Sequence, residues 1–385
     1  MKEVLKVMKN IYDIYDFFES LTTIEDPRQF NKVKYPINEI VGMVLIASLG
    51  NANEWTEIEL FCTLHEDVLR KYFKMKNGVP SHDTFQRVMG MIEPSKIQQI
   101  QVIWNEYISR NEGEGIKKIL NIDGKTMRGS RTENKKPLHI VSAWCDESGI
   151  CFGQKAIKEK ENEIVAIPEL LDTLKIKGYV VTIDAMGTQT KIAEKIVKKR
   201  ADYVLAVKGN QETLYKDLIE YFNDDSFKKQ IINDGNYKKT IEKAHGQIEI
   251  REYYQTNDIK WLSNRSKWKN LKSIGIVEKT IKKKDKEVKE RRYYISSLAP
   301  EINLFEKSVR GHWGIEIMHW HLDVTFKEDS NKTIEETANK NMSLIRKWAL
   351  SILKLVDMGK KISLKAKRFS INCRPDAYIS KIMEI

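Results

Sequence analysis

The first third of the chain carries apolar side chains every three or four residues, the spacing of amphipathic helices. The first such stripe consists of Val4, Leu5, Met8, Ile11, Tyr12, Tyr15 and Phe18. A nearly apolar helix is predicted over residues 37–49, and another begins near Trp55. Gly78 and Pro80 predict a break, after which Ser81 would cap a further helix. Residues 1–112 are therefore predicted to form an all-helical, DNA-associated accessory domain, although a packing or interaction bundle fits the pattern equally well.

Beyond a linker at residues 111–115, short apolar runs predict strands that alternate with helices. The predicted strands are 116–122, 138–145, 150–157, 179–183 and 203–207, and the predicted helices are 163–174 and 191–199. Three strands in a meander, followed by helix, strand, helix and strand, is the order used by the ribonuclease H-like fold. The sequence thus predicts an α/β class, with residues 113–210 as the first part of such a core.

The rest of the chain changes character twice more. Strands are predicted at 247–254, 273–280 and 292–297, with a charged hairpin turn at 282–286, so residues 211–300 read as a β-rich insertion. Helical spacing returns in 301–358, which we interpret as the remaining core helices. Residues 359–385 are rich in lysine and are predicted to form a basic tail, either solvated or bound to an anion.

The composition indicates a globular protein with an anionic partner. The 385 residues include 66 Lys and Arg against 54 Asp and Glu, a formal net charge of +12 that favours nucleic-acid binding. The four cysteines show no C-x-x-C spacing, so neither a zinc site nor a disulfide framework is indicated. The longest apolar run, 40–49, is about half of what a bilayer span needs. No membrane partner and a cytoplasmic location are expected, since the N-terminus lacks a signal-peptide core.

Two aspartates follow short apolar runs: Asp123 in ILNIDGKT and Asp184 in VVTIDAMG. Clefts form at strand ends in α/β sheets, so neighbouring strands can bring two carboxylates to one cation. Mg²⁺ prefers oxygen ligands, and a pair of such ions can activate an attacking hydroxyl and stabilise the leaving oxygen of a phosphodiester. Alternatively, each aspartate only caps the turn after its strand. Two such sites in a strongly basic chain favour the metal site.

The segment 309–331 is crowded with aromatic, histidine and acidic side chains. On a helix, four of them would share one face. They are His312, Glu316, His319 and Asp323. The face could supply the third carboxylate. Alternatively, His312, Glu316 and His319 could form a transition-metal site, although the H-E-x-x-H order of zinc helices is absent. From the residues alone, Glu316 cannot be distinguished from Glu301 or Glu328 as the third acid.

Cationic and polar residues near these acids are candidates for contacts with DNA phosphates. Two follow Asp123, three follow the predicted strand at 203–207, and three lie beside Glu316. The predicted nucleic-acid contacts are Lys125, Arg128, Lys208, Asn210, Gln211, Arg310, His312 and Trp313. Neither a P-loop nor G-x-G-x-x-G occurs, so dinucleotide binding is unsupported.

Long motifs along nearly the whole chain resemble those of one family. They include DPRQFNKVKYPINEI, NGVPSHDTFQRV, NIDGKTMRGS, LHIVSAW, KENEIVAIPELL, VTIDAMGTQ, DYVLAVKGNQ, HGQIEIREY, RRYYISSL and VRGHWGIE. The chain resembles the H-repeat-associated, or ISAs-type, transposases of bacterial insertion sequences. Many long motifs in one order are far more specific than any single triplet.

The resemblance implies a ribonuclease H-like core with a DDE triad, a β-rich insertion before the glutamate and an N-terminal helical domain. Matched by motif, the triad would be Asp123, Asp184 and Glu316, holding two Mg²⁺ or Mn²⁺ ions. The implied reaction is hydrolysis at element ends followed by strand transfer into target DNA. The implied partners are double-stranded DNA and further copies of the chain, because two ends must be joined.

One departure from the family pattern bears on activity. The family's glutamate motif reads H-W-x-I-E-N-x-x-H-W, whereas HWGIEIMHW here is one residue shorter after Glu316. On a helix, one residue rotates everything downstream by about 100°. Either a local bulge or turn absorbs the change, or Glu316 turns away and the chain is a degenerate copy that binds DNA without catalysis. A nuclease that cuts DNA but never joins it is a third reading.

Overall fold

The computed structural model describes residues 21–109, 117–133, 136–158, 161–244, 246–284 and 286–383. The predicted helix over residues 4–18 and the predicted linker at 111–115 lie outside these ranges. The described part of the chain has a mixed α/β fold with a nine-stranded sheet. The predicted α/β class is therefore confirmed.

Helices and turns account for the described residues before 110. The helices are α1 (Ile37–Leu49), α2 (Trp55–Leu64), α3 (Glu66–Leu69), α4 (His82–Met91) and α5 (Pro94–Ser109). The bounds predicted for α1 are confirmed, and its nearly apolar sequence is buried on almost all sides. The predicted cap of α4 is also confirmed, since the Ser81 hydroxyl accepts a hydrogen bond from the Thr84 backbone N–H at 3.4 Å.

The sheet joins a mixed five-stranded half to an antiparallel half. Its strands are β1 (Ile119–Thr126), β2 (His139–Cys145), β3 (Ile150–Ala156), β4 (Val180–Ile183), β5 (Asp202–Val207), β6 (Tyr237–Ala244), β7 (Gln247–Thr256), β8 (Ser273–Lys283) and β9 (Lys286–Ser296). They lie side by side in the order β3-β2-β1-β4-β5-β9-β8-β7-β6. Strands β1, β4 and β5 are mutually parallel, and the other neighbours pair antiparallel.

The five strands predicted before residue 210 are confirmed, with one difference at β1. This strand was predicted to end before Asp123, yet it continues to Thr126. The reason is that its pairing with β4 ends at Ile122, whereas its pairing with β2 continues as far as Thr126 and His139. Asp123 therefore lies within β1 at the level where β4 stops.

Helices cover both faces of the sheet. Those after β3 are α6 (Glu163–Thr173), α7 (Thr190–Lys198), α8 (Glu212–Asn223), α9 (Asp225–Asn233), α10 (Ile302–Gly311), α11 (Trp313–Val324), α12 (Glu336–Leu355), α13 (Leu364–Cys373) and α14 (Pro375–Met383). Leu120 and Ile122 of β1 face the core shared with α6 to α9. Ile119 faces the opposite side, where it packs with Phe305 and Val309 of α10. Odd-numbered residues of β1 therefore point towards α10 and α11.

The predicted β-rich insertion extends the core sheet, because β9 pairs antiparallel with β5. The three strands predicted there are confirmed as β7, β8 and β9, and the charged hairpin joins β8 to β9. Strand β6 was not predicted. Its sequence, YKKTIEKA, is mostly polar because it forms the edge of the sheet, where lysines discourage pairing with other chains.

The basic segment after residue 359, which was predicted as a tail, is helical over most of its described length. Helices α13 and α14 fold back onto the N-terminal helices, and Ile371 and Ile379 join the core that contains α1. Arg368 is completely buried there and donates to the Ser48 carbonyl at 2.7 Å and the Asn53 Oδ1 at 3.0 Å. Its guanidinium thus binds acceptors at and just beyond the end of α1, which a helix leaves unsatisfied.

A single apolar core links the N-terminal helices to α11 and α12. Across it, the Trp55 indole N–H donates to the Thr333 hydroxyl at 2.9 Å. The predicted domain boundary at residue 112 stays a prediction, but the two sides of it are packed together. Within the described ranges, no helix combines the length and apolar character needed to cross a membrane.

Candidate active site

Asp123 and Asp184 lie side by side because of the register between β1 and β4. Ile122 pairs with Ile183, so Asp123 and Asp184 follow at the same level on neighbouring parallel strands. Such strands are about 4.8 Å apart, and residues two apart on a strand share a face. Both aspartates therefore point to the side of the sheet that α10 and α11 cover.

Below the aspartates, a buried polar chain anchors the start of α11. The Thr182 hydroxyl donates to the Asn121 Oδ1 at 2.6 Å, and its oxygen lies 3.0 Å from the His312 Nδ1. Asn121 and Thr182 each precede an aspartate by two residues, and His312 precedes Glu316 by one helical turn. The hydrogen bonds among these three side chains therefore hold β1, β4 and α11 together just before the acids. All three acids line the same cavity.

The shortened glutamate motif causes no bulge in the helix. Helix α11 runs without interruption from Trp313 to Val324, and its buried residues Ile315, Met318 and Leu322 keep regular helical spacing. The irregularity lies before the glutamate, in the turn at His312 between α10 and α11. Glu316 faces the cavity, so the structure does not show the outward rotation that was one of the two expectations.

Asp123 is in a negative and largely buried environment. Burial raises the pKa of Asp123 to about 7, and the nearby charges of Glu163, Asp184 and Glu316 add to this effect. The N–H of Gly124 acts in the opposite direction by bonding the carboxylate. Without a bound cation, this carboxyl group thus takes up a proton near neutral pH.

Two neutral histidines border the acids. The His319 Nδ1 lies 3.7 Å from the Asp123 Oδ2, and burial lowers the pKa of His319 to about 3. Burial likewise lowers the pKa of His312 to about 4. Neither imidazole therefore offsets the negative charge of the acids at neutral pH.

The acids suit a hard cation better than a transition metal. Their carboxylate oxygens are the donors that Mg²⁺ takes, together with water. In the ranges that the structure covers, no three His, Cys, Asp or Glu side chains are arranged to bind one ion, so water or substrate would complete the coordination. The structure gives no support to a transition-metal site of His312, Glu316 and His319 in the described ranges, because His312 bonds Thr182 and His319 approaches Asp123.

The turn-capping reading holds for Asp184 in part. Its Oδ1 accepts a hydrogen bond from the Gly187 backbone N–H at 3.1 Å, so the carboxylate stabilises the turn after β4 while still lining the cavity. Asn210 and Gln211 support the same turn by donating to the carbonyls of Ala185 at 2.6 Å and Thr188 at 3.0 Å. The DNA-binding role of Asn210 and Gln211 stays a prediction. Their hydrogen bonds show that both side chains stabilise the turn after β4. Lys208 lines the cavity with an exposed side chain.

The two predicted phosphate contacts after Asp123 differ in exposure. Lys125 is only 10% exposed and is ion-paired with Asp323, Glu328 and Asp329. Burial alone would lower the pKa of Lys125, but these acids raise it. Arg128 is 86% exposed. Arg128 remains available to DNA, whereas the contacts of Lys125 count against a role in phosphate binding.

The predicted contacts beside Glu316 are also largely engaged within the protein. Arg310 is ion-paired with Glu242 and Glu306. His312 is bonded to Thr182, as described above. Trp313 is 39% exposed, and the cations of Lys279 and Arg292 each lie 5.3 Å from its ring centre. His312 and Trp313 thus line the cavity, and much of the binding capacity of all three residues is already in use within the protein.

Two groups at the site were missed by sequence reasoning. Arg292 of β9 lines the cavity, whereas the neighbouring Arg291 is ion-paired with Glu278 at 2.7 Å and donates to the Asn223 side chain at 2.6 Å. On the other side of Asp123, the Glu163 Oε1 lies 2.7 Å from the His139 Nε2. Both groups belong to motifs of the resemblance, RRYYISSL, LHIVSAW and KENEIVAIPELL. The sequence signal that could have found these residues was the presence of all three motifs in one chain. That signal did not reveal that the residues lie close together in the fold.

Comparison with known proteins agrees with the site's acidic character. A family model described as "Transposase DDE domain" matches residues 114–352, and one described as "DDE_Tnp_1-associated" matches residues 18–105. The chain is 36% identical to the "Putative transposase YncI" of Escherichia coli O157:H7, over 96% of this chain and 95% of that one. It is also 36% identical to the "H repeat-associated putative transposase YhhI" of Escherichia coli K12, over 89% and 91%. A cryo-EM structure of the piggyBac transposase synaptic complex with hairpin DNA aligns with a TM-score of 0.38 and 12% identity, over 98% of this chain and 82% of that one, which does not establish a shared fold.

Proposed function

The chain belongs to the family of transposases with a DDE domain, and from this premise we propose that it is a metal-dependent DNA transposase with Asp123, Asp184 and Glu316 as its triad. The observation that carries the proposal is that these three acids, contributed by β1, β4 and α11, line one cavity. They are 61 and 132 residues apart in sequence, so their meeting is not a consequence of local structure.

The sheet supports a ribonuclease H-like core. The order β3-β2-β1-β4-β5, with the first three strands antiparallel and β1, β4 and β5 parallel, is the arrangement expected of that fold. Residues 211–300 would then be the insertion that precedes the glutamate, attached along β5. The proposed domains are 1–112, 113–210, 211–300, 301–358 and 359–385, with the last of these folded onto the first.

Asp123, Asp184 and Glu316 would hold Mg²⁺ through their carboxylate oxygens, together with water. When bound, Mg²⁺ supplies Lewis-acid stabilisation of the oxygens that attack and leave the phosphorus. The chain itself supplies cations at the rim of the cavity, where Lys208 and Arg292 would hold phosphates of the DNA. The buried bond network of Thr182 would keep α11 fixed while substrate enters.

The proposed substrates are double-stranded DNA ends of the element and a target duplex. The net charge of +12 supports this partner. Joining two ends to a target requires at least two active sites, so we propose that copies of the chain assemble on DNA. The activity would take place in the cytoplasm, where such DNA is found.

Cleavage of labelled DNA that carries the sequences flanking the gene tests the triad. With Mg²⁺ present, Asp184→Asn and Glu316→Gln should each lower the cleavage rate by about 100-fold or more, because each removes a metal ligand. Glu212→Gln is the matched control, since this exposed acid on α8 is ion-paired with Lys216, one helical turn further along the same helix. An unchanged rate for Asp184→Asn would refute the proposed mechanism, and strand-transfer products would separate a transposase from a nuclease that only cuts.

A second candidate is a degenerate copy that binds DNA without cleaving it. The residue missing after Glu316 favours this reading, since it changes the sequence around the glutamate. Such a protein would bind DNA with a steep salt dependence and yield no nicked product at any Mg²⁺ concentration. Reinserting an asparagine between Glu316 and Ile317 should then restore cleavage.

A further inference from the structure

Lys125 connects the strand of one triad member to the helix of another. It lies two residues after Asp123 on the same face of β1. Its Nζ is 2.7 Å from the Asp323 Oδ1, 3.0 Å from the Asp329 Oδ1 and 3.3 Å from the Glu328 Oε2. The ammonium is thus enclosed by three carboxylates that are about 200 residues away along the chain.

These acids lie on the helix that carries Glu316 and on the turn that follows it. Asp323 lies seven residues after Glu316 on α11, which is close to two full helical turns and therefore the same side of the helix. Glu328 and Asp329 form the short 3₁₀ turn that follows α11. Lys125 therefore fastens both the end of α11 and the segment after it to β1.

The backbones around this contact are also tightly packed. The N–H of Arg128 donates to the Asp329 Oδ1 at 3.2 Å. A Cβ atom at Gly129 would be 2.5 Å from the carbonyl oxygens of Asp329 and Asn331, so only glycine allows this approach. The segments after Asp123 and after α11 thus form one interlocked unit.

The charges make Lys125 hard to replace. Glu328 is 1% exposed, so its carboxylate depends on nearby cations. Lys347 and Arg346 of α12 add positive charge near Glu328, but Lys125 is the cation that contacts Asp323, Glu328 and Asp329 together. Removing its charge would leave three acids facing one another beside the triad.

We infer that Lys125 is a positioning residue, which holds α11 against β1 so that Asp123 and Glu316 face the same cavity. The inference rests on the proposed function and adds to it how the distance between two triad members is maintained. It replaces the sequence-based prediction that Lys125 binds a DNA phosphate, because three carboxylates lie within 3.3 Å of its ammonium group and the side chain is only 10% exposed.

DNA binding and cleavage of the full chain separate positioning from phosphate binding. Lys125→Met should lower the cleavage rate by about tenfold or more, because small displacements of reacting groups are costly. Its DNA affinity and the salt dependence of that affinity should stay within about twofold of wild type. Lys208→Met is the matched control. Removing the charge of this exposed cavity lysine should weaken DNA binding and reduce the slope of its salt dependence by about one. If Lys125→Met behaves like Lys208→Met, or cleaves normally, the inference is overturned.

A distance measurement tests, without relying on activity, whether Lys125 holds α11 against β1. Spin labels at Arg131→Cys and Ile317→Cys, both exposed, would report the separation of the segment after β1 from α11 in a Cys373→Ser background. Lys125→Met and the milder Asp323→Asn should each broaden or lengthen that distance, whereas Lys208→Met should not. An unchanged distance in both variants would contradict the proposal that Lys125 holds α11 against β1. Absence of cleavage by the wild type together with a changed distance would refute the proposed function alone.

Discussion

The hydroxyl of Thr182 and the side-chain carbonyl of Asn121 are 2.6 Å apart, and this buried bond lies directly beneath the two strand-end aspartates. Parallel strands bind through their backbones, and a slip of one residue would turn every side chain to the other face. The bond forms only when Asn121 pairs with Thr182, so it penalises the alternative registers. It fixes Asp123 beside Asp184 and, through His312, also the start of α11.

Replacing Thr182 by valine should weaken both the fold and the site. The substitution keeps the shape of the side chain but leaves the Asn121 oxygen and the His312 ring without their shared partner. We expect the free energy of unfolding to fall by about 1–3 kcal/mol, and cleavage to fall further than stability explains. Chemical denaturation with parallel cleavage assays measures both. Thr63→Val, which removes an exposed hydroxyl bonded within its own helix, should change neither by much.

Gly124→Ala should disturb the contact between Glu163 and His139. A Cβ atom at this position would overlap the Glu163 carboxylate and lie 2.5 Å from the His139 Nε2, so those side chains must move. We expect a loss of about 1–3 kcal/mol in unfolding free energy. Removing the Glu163 carboxylate as well, in the double variant Gly124→Ala/Glu163→Ala, should recover part of the lost unfolding free energy. Gly209→Ala is the control, since a Cβ there meets nothing within 4 Å. Equal stability of the Gly124 and Gly209 variants would contradict the packing described.

Asp123→Asn should stabilise the protein in the absence of divalent cations. The folded-state pKa of Asp123 is raised to about 7 from 3.8, so the folded state binds the proton more tightly than the unfolded state does. The protonated Asp123 carboxyl group therefore contributes stability at acid pH, and this contribution is lost as pH rises through about 7. At pH 8 with a chelator, we expect the asparagine variant to be more stable by about 1–3 kcal/mol.

The same comparison should change with pH. At pH 4 the wild-type carboxyl group is protonated, so the two proteins should differ little in denaturation midpoint. Thermal or urea unfolding from pH 4 to pH 8 would reveal the divergence. A stability difference that does not depend on pH would show that the Asp123 charge is not the cause.

Arg368→Met should loosen the contact between α13 and the N-terminal helices. Arg368 donates to the Ser48 carbonyl, the Thr325 carbonyl and the Asn53 side chain, and its guanidinium lies 4.1 Å from the Phe326 ring centre. Losing these bonds leaves buried acceptors unsatisfied, which should lower the unfolding free energy by about 2–4 kcal/mol. Lys365→Met, on an exposed position of the same helix, is the control. Proteolysis of residues 359–383 in the Arg368 variant would provide a second readout.

Local pattern was sufficient for much of the fold. The strands β1 to β5 and the helix α1 follow from the period and the length of apolar runs, because a half-buried element must repeat its apolar side chains at its own period. Strand β6 was missed because an edge strand that is exposed to water needs no such pattern. The C-terminal helices were misjudged because lysines on their outer sides hid the few residues, such as Arg368 and Ile371, that are buried.

The sequence by itself determined which residues carry chemistry: two aspartates after apolar runs and a glutamate in a motif that the family shares. What only the tertiary structure decided is how each charge is used. Lys125 and Lys208 both follow an apolar strand sequence, yet one is enclosed by acids and the other faces the cavity. Glu163 and His139 form a contact that neither motif reveals alone. The physical reason is that the energy of a charge depends on its partners and its access to water, and these are set by segments distant along the chain.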